Sequence, residues 1–168
     1  MKRLFHLLSL VILASMLAWS CSEEDDSGTN GNNNTDPWVG TWLSADADVA
    51  PLLAAVFSID SVRVEMKADG SVFLDQHVMG AGWTSNSGTY TVTESASGNV
   101  HGISISYSSP AFEQEGIVEI TEGAPDVMRL EVVQTVPDIG ATPRTPATGF
   151  GSDTALGTSN IQTYRRVE

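Results

Sequence analysis

The chain has 168 residues, 21 of them acidic against 8 basic, a formal charge of −13 and a single cysteine. Such a surface repels phosphate backbones, polyanionic glycans and anionic headgroups, which argues against nucleic acid as a partner. One cysteine leaves no disulfide framework, and the length suits one domain with one core.

Lys2 and Arg3 precede an apolar run from Leu4 to Leu17, and Ala18, Trp19 and Ser20 lead into Cys21. The run is shorter than the ~20 apolar residues that span a hydrocarbon core, so residues 1–20 read as a secretion signal. A signal ending on a lone cysteine resembles that of bacterial lipoproteins. The resemblance implies that Cys21 is lipidated and becomes the first residue of the mature chain, with the membrane as partner through this anchor. An ordinary signal cleaved nearby would instead leave a secreted protein with one unpaired thiol. A single acyl chain holds a protein weakly, and the multiply acylated cysteine that the resemblance implies meets the need for two or more signals.

Residues 21–36 form the anchor cysteine and an acidic, Asn-rich tether. Ser22 to Asp36 contains no aliphatic or aromatic side chain. It has nothing to bury against the entropy of ordering, and as a disordered chain it would reach ~20 Å. Glu23, Glu24, Asp25 and Asp26 resemble the acidic export signal that sends some lipoproteins to the outer face of the outer membrane; the same run also reads as a solvated spacer. The expected location is the cell envelope, lipid-anchored to the outer membrane. The mature chain keeps six of the eight basic residues and all 21 acidic ones, a formal charge of −15.

From residue 37 to residue 168 period-two alternation dominates. It predicts strands at Trp38 to Leu43, Ser61 to Lys67, Ser71 to Met79, Gly88 to Glu94, Val100 to Tyr107, Glu113 to Thr121, Val127 to Val136 and Asn160 to Val167. In the second, Val62, Val64 and Met66 alternate with Arg63, Glu65 and Lys67. The only helical pattern is Val49 to Phe57, where Pro51 suits a first turn. Short turn-rich links, among them Asp69-Gly70, alternate with mostly longer ones: Ser44 to Asp60, Gly80 to Ser87, Ser108 to Phe112 and Pro137 to Ser159. In an up-and-down order the longer links gather at one end. The predicted architecture is an all-β, eight-stranded up-and-down antiparallel β-barrel with a short helix in the first long loop. Closure removes exposed edges and leaves an interior for side chains or one small ligand.

Gly40-Thr41-Trp42 resembles the Gly-X-Trp motif of lipocalins, followed as in that family by a long first loop. With Lys67-Ala68-Asp69-Gly70-Ser71, Gly88-Thr89-Tyr90-Thr91-Val92 and the terminal Tyr164-Arg165-Arg166-Val167, the domain is similar to bacterial lipocalin-like (calycin-type) lipoproteins. The resemblance implies that Trp42, beside Gly40, plugs the barrel base and that Arg165 or Arg166 packs across its ring as a cation on an aromatic face.

Residues of reactive chemistry are sparse. His77 and His101 fall on separate strands, and there is no His-X-X-Glu-His, no Cys-His pair and no Gly-X-Ser-X-Gly. Asp46, Asp48 and Asp60 are a poor match to calcium spacing. The expectation is a non-enzymatic protein with no cofactor and no metal. Tyr90, Val92, Ile103, Ile105, Val118, Ile120, Leu130 and Val132 fall on inward faces that any barrel needs merely to fold. At the loop-rich mouth, Leu52, Leu53, Phe57 and Trp83 must cover the barrel or touch a guest. With Tyr90, Ile105 and Leu130 they are the candidate contacts for a small apolar or amphipathic ligand. The alternative is a filled barrel whose long loops, Pro137 to Ser159 above all, bind a protein or glycan at the cell surface.

Cys21→Ala is expected to abolish fatty-acid labelling and release the protein from membranes, read by metabolic labelling and fractionation. Unchanged membrane association would refute the anchor.

Overall fold

The alternation closes on itself. The computed structural model describes residues 36–167, so the signal, Cys21 and the tether to Thr35 lie outside the described residues. Eight antiparallel strands follow one another around a closed barrel: β1 (Gly40–Ala45), β2 (Ile59–Met66), β3 (Ser71–Val78), β4 (Gly82–Thr93), β5 (Val100–Ser108), β6 (Ala111–Thr121), β7 (Val127–Val136) and β8 (Gln162–Arg166). Helix α1 (Pro51–Phe57) lies between β1 and β2, preceded by a 3-10 turn at Asp46–Asp48. Pro51 occupies its first turn, where a missing N–H costs nothing. Ser58 ends it in the left-handed region at φ 56°, its N–H bonded to the Leu53 carbonyl.

Inward parity builds the core. Val62, Val64 and Met66 on β2, Val72 and Leu74 on β3, and Ile103 and Ile105 on β5 are buried, each two residues from the next, as strand pleating requires. All eight residues assigned inward from the sequence lie in this core or pack against it. Two strand glycines permit the curvature. A Cβ on Gly88 would stand 2.0 Å from the Ser106 carbonyl oxygen, and one on Gly116 would stand 2.0 Å from that of Glu131. Only a residue without a side chain allows neighbouring backbones so close.

The seam between β8 and β1 is short, with Trp42 opposite Arg166 and Leu43 opposite Arg165. Side chains extend it. The Gln162 Nε2 donates to Ser44 Oγ at 2.6 Å while its Oε1 accepts the Ala50 N–H at 2.7 Å. The Val167 N–H donates to the Thr41 carbonyl at 2.9 Å. Last strand, first strand and first long link are thereby one unit.

The links at the open end differ from the sequence reading. β4 begins at Gly82, so the expected loop from Gly80 to Ser87 shrinks to Met79-Gly80-Ala81, and the fifth link is only Ser109-Pro110. The polar run Thr84 to Ser87 pairs with β3 from Asp75 to Gln76 and Phe73 to Leu74, because ladder hydrogen bonds satisfy a polar backbone whatever its side chains. Two long links remain. The second, residues 137–161, folds back along the outer wall of β6 and β7. There Ile117 and Glu131, paired with each other and on the outward parity, are 0 % and 2 % exposed. The Glu131 Oε2 accepts the Gly151 N–H at 2.7 Å, and the Arg129 guanidinium stacks 4.3 Å over Phe150.

Trp42→Ala is expected to cost ~3–5 kcal/mol, since the ring is fully buried in the core. Arg166→Ala should follow it partway, whereas Arg165→Ala, whose Asp48 partner is a surface contact, should stay within about 1 kcal/mol. Chemical denaturation of the three variants checks the order.

Candidate functional site

Two places concentrate polar groups beside the core: the closed base, and an interior cavity that runs toward the open end.

At the base the Trp42 ring is wholly buried and its Nε1 donates to the Trp38 carbonyl at 2.9 Å. The Arg166 guanidinium carbon lies 4.2 Å from the centroid of that ring. Every part of the guanidinium is committed: Nε to Asp126 Oδ2 at 2.8 Å, and the two terminal nitrogens to the Val39 and Pro37 carbonyls at 2.6 Å each. Arg165, one residue earlier and on the opposite face, turns outward to Asp48 at 2.8 Å. The open choice between the two arginines is thus decided by register: Arg166 shares the inward parity of Gln162 and Tyr164. The Asp126 carboxyl is held below the usual carboxylate range, first by the Gly123 N–H and then by Arg166.

Above this plug lies a cavity of about 130 Å³. Its wall is mainly apolar and includes Leu53 from α1, Ile105 on β5 and Leu130 on β7. Of the candidate ligand contacts, these three line it. Leu52, Phe57, Trp83 and Tyr90 do not. Phe57, the last residue of α1, is 56 % exposed. Trp83 is a residue of β4 and packs on His77 with ring centroids 5.1 Å apart, outside the barrel, because the shortened third link puts it in a strand. The Tyr90 hydroxyl is used near the base, donating to the Lys67 carbonyl at 2.8 Å. Leu52 instead ties the two long links together, its N–H donating to the Ser159 carbonyl at 2.9 Å.

The polar part of the cavity wall comes from residues that the sequence reading passed over: Gln76, Gln114, Asn160, Gln162, Tyr107 and Tyr164. Gln162 is committed to the seam, and the Asn160 Nδ2 donates to the Val132 carbonyl at 2.8 Å. Gln76, Gln114, Tyr107 and Tyr164 make no side-chain hydrogen bond among the described residues. Tyr107 stacks on Phe112 with centroids 4.4 Å apart. Burial pushes both phenols well above their ordinary value, and Tyr164 is raised further by Tyr107. A signal for these residues existed: each glutamine interrupts an apolar row at inward parity, Gln76 after Val72 and Leu74, Gln114 after Phe112.

The remaining titratable groups are dispersed. The His77 Nδ1 lies 2.6 Å from Asp60, and the His101 Nδ1 accepts the Ser95 N–H at 3.1 Å. Asp48 and Asp60 are thus engaged apart from one another, and among the described residues no three His, Cys, Asp or Glu gather as metal ligands. Comparison with protein-family models, curated proteins and solved structures finds no match to the chain.

The depressed Asp126 carboxyl makes the base pH-dependent. Its contribution is present above the unfolded value near 4 and is lost as pH falls through the lower folded value. Asp126→Asn is therefore expected to lower stability at pH 7 and to flatten the acid limb below about pH 4, read as melting temperature against pH.

Proposed function

We propose that the protein is a lipocalin-like lipoprotein of the cell envelope, non-enzymatic and anchored through Cys21 to the outer membrane. In this reading the barrel holds a small, largely apolar molecule in its interior. The observation that carries it is the cavity of about 130 Å³ above the Trp42 plug, walled by Leu53, Ile105 and Leu130. A dry apolar cavity of ~150 Å³ takes up benzene or xenon, so this volume holds a guest of about one ring. Drug-sized ligands need ~300 Å³ or more and exceed it. The resemblance to a bacterial lipoprotein signal and the Gly40-Thr41-Trp42 motif support the envelope location and the family likeness; the acidic run Glu23 to Asp26 supports a surface-facing position.

A second reading, a docking surface for a protein partner, draws on the exposed apolar rim of Val56, Phe57 and Met79. The Met79 N–H donates to the Ser58 carbonyl at 2.9 Å, which brings the first and third links together there. The 137–161 segment supports this reading less, since part of it is spent against the barrel wall.

Toluene at ten times its dissociation constant should stabilise the protein by ~1.4 kcal/mol, a rise of roughly 5 °C in melting temperature. Leu130→Trp, which puts a much larger ring into the cavity wall, should reduce that gain. A melting temperature indifferent to toluene in the unsubstituted chain would overturn interior binding.

A further inference from the structure

The chemistry of the cavity wall narrows what can occupy it. No Asp, Glu, Lys, Arg or His lines the cavity among the described residues. Arg166, at inward parity on β8, is consumed by Trp42, Asp126 and the carbonyls of Val39 and Pro37. A carboxylate entering the barrel would therefore lose its hydration without gaining a counter-charge, and an ammonium group would fare no better. The chain's formal charge of −13 adds to the penalty on anions.

The wall is nonetheless not purely hydrocarbon. Tyr107 and Tyr164 offer hydroxyls, and Gln76 and Gln114 offer carboxamides with both donor and acceptor ends. A phenol is protonated, and so able to donate, throughout the physiological range, and burial raises these two further. A guest made only of carbon and hydrogen would leave these groups without partners in a space of about 130 Å³, whereas one oxygen on the guest would satisfy a donor at the cost of little volume.

We propose that the cavity selects a neutral molecule of about one ring bearing a single hydroxyl or carbonyl oxygen, bound by Tyr107 or Tyr164 with Gln76 and Gln114, and rejects carboxylates and ammonium compounds of the same size. This rests on the interior-binding reading and assigns it a chemical class. It excludes long-chain fatty acids twice over, by charge and by volume.

The test is a matched set of one-ring probes, toluene, benzyl alcohol, benzoate and benzylammonium, titrated calorimetrically into the full chain at pH 7. Toluene and benzyl alcohol are expected to bind, with benzoate and benzylammonium at least about tenfold weaker than benzyl alcohol. Tyr107→Phe and Tyr164→Phe remove one oxygen each and keep the ring. At least one of them should weaken benzyl alcohol about three- to tenfold while leaving toluene within about twofold, toluene serving as the check that the variant is folded. Gln114→Leu gives the same comparison from another strand should a tyrosine variant fail to fold. Benzoate binding as tightly as benzyl alcohol would overturn the neutral class. Benzyl alcohol unaffected by all three substitutions would overturn the polar recognition while interior binding stands. If no probe binds, toluene included, interior binding falls and this inference falls with it.

Discussion

The structure depends on the stacking of Arg166 on Trp42. A barrel is stable only when its last strand finds its first, and here that seam rests on a β8 of five residues, paired through Trp42 with Arg166 and Leu43 with Arg165. So short a ladder closes weakly by itself. Arg166 reinforces it by laying a cation on the Trp42 face while reaching Asp126 from the β6–β7 turn and the Pro37 and Val39 carbonyls from the incoming chain. One side chain thus joins β1, β8, the sixth link and the segment before β1. Cation–π contacts are worth ~0.5–2 kcal/mol each, and the same guanidinium donates to three acceptors from two further segments.

The free volume of the barrel lies among the inward rows of its strands. Ala50 and Leu53 line the cavity at the first long link, and the bond from the Ala50 N–H to Gln162 holds that link in place. Gln162 joins the seam to this link: its two ends fasten Ser44 on β1 and the entry to α1. Closure and cavity are coupled, so a change that loosens β8 also loosens the cover of the interior. The 137–161 segment strengthens this coupling from outside, burying Ile117 and Glu131 on a wall that would otherwise face water.

The strands were legible in the sequence because a barrel wall with one wet and one dry face imposes alternation, and Val62, Val64, Met66, Ile103, Ile105 and Leu130 carry it without interruption. The helix at Pro51–Phe57 was legible for the same kind of reason: a proline in its first turn and an apolar run too short for another period. The start of β4 was not. Trp83 to Ser87 lacks apolar alternation, and it is a strand because β3 beside it offers a ladder. Trp83 consequently stands on the outer wall against His77 and not at the mouth.

Sequence by itself determined the strand count, the inward rows and the presence of Gly40-Thr41-Trp42 near one end with two adjacent arginines near the other. It could not choose between those arginines, because alternation assigns faces only relative to a register, and the register of β8 on β1 is set by long-range pairing. Tertiary structure made that choice. It also decided that Leu53 lines the cavity while Leu52 and Phe57 do not: Leu52 is turned about 100° around α1 from Leu53, and Phe57, one turn further along the same face, stands at the helix end, 56 % exposed. The polar groups of the site, Tyr107, Tyr164, Gln76 and Gln114, come from four strands, and only closure of the barrel brings them into one space.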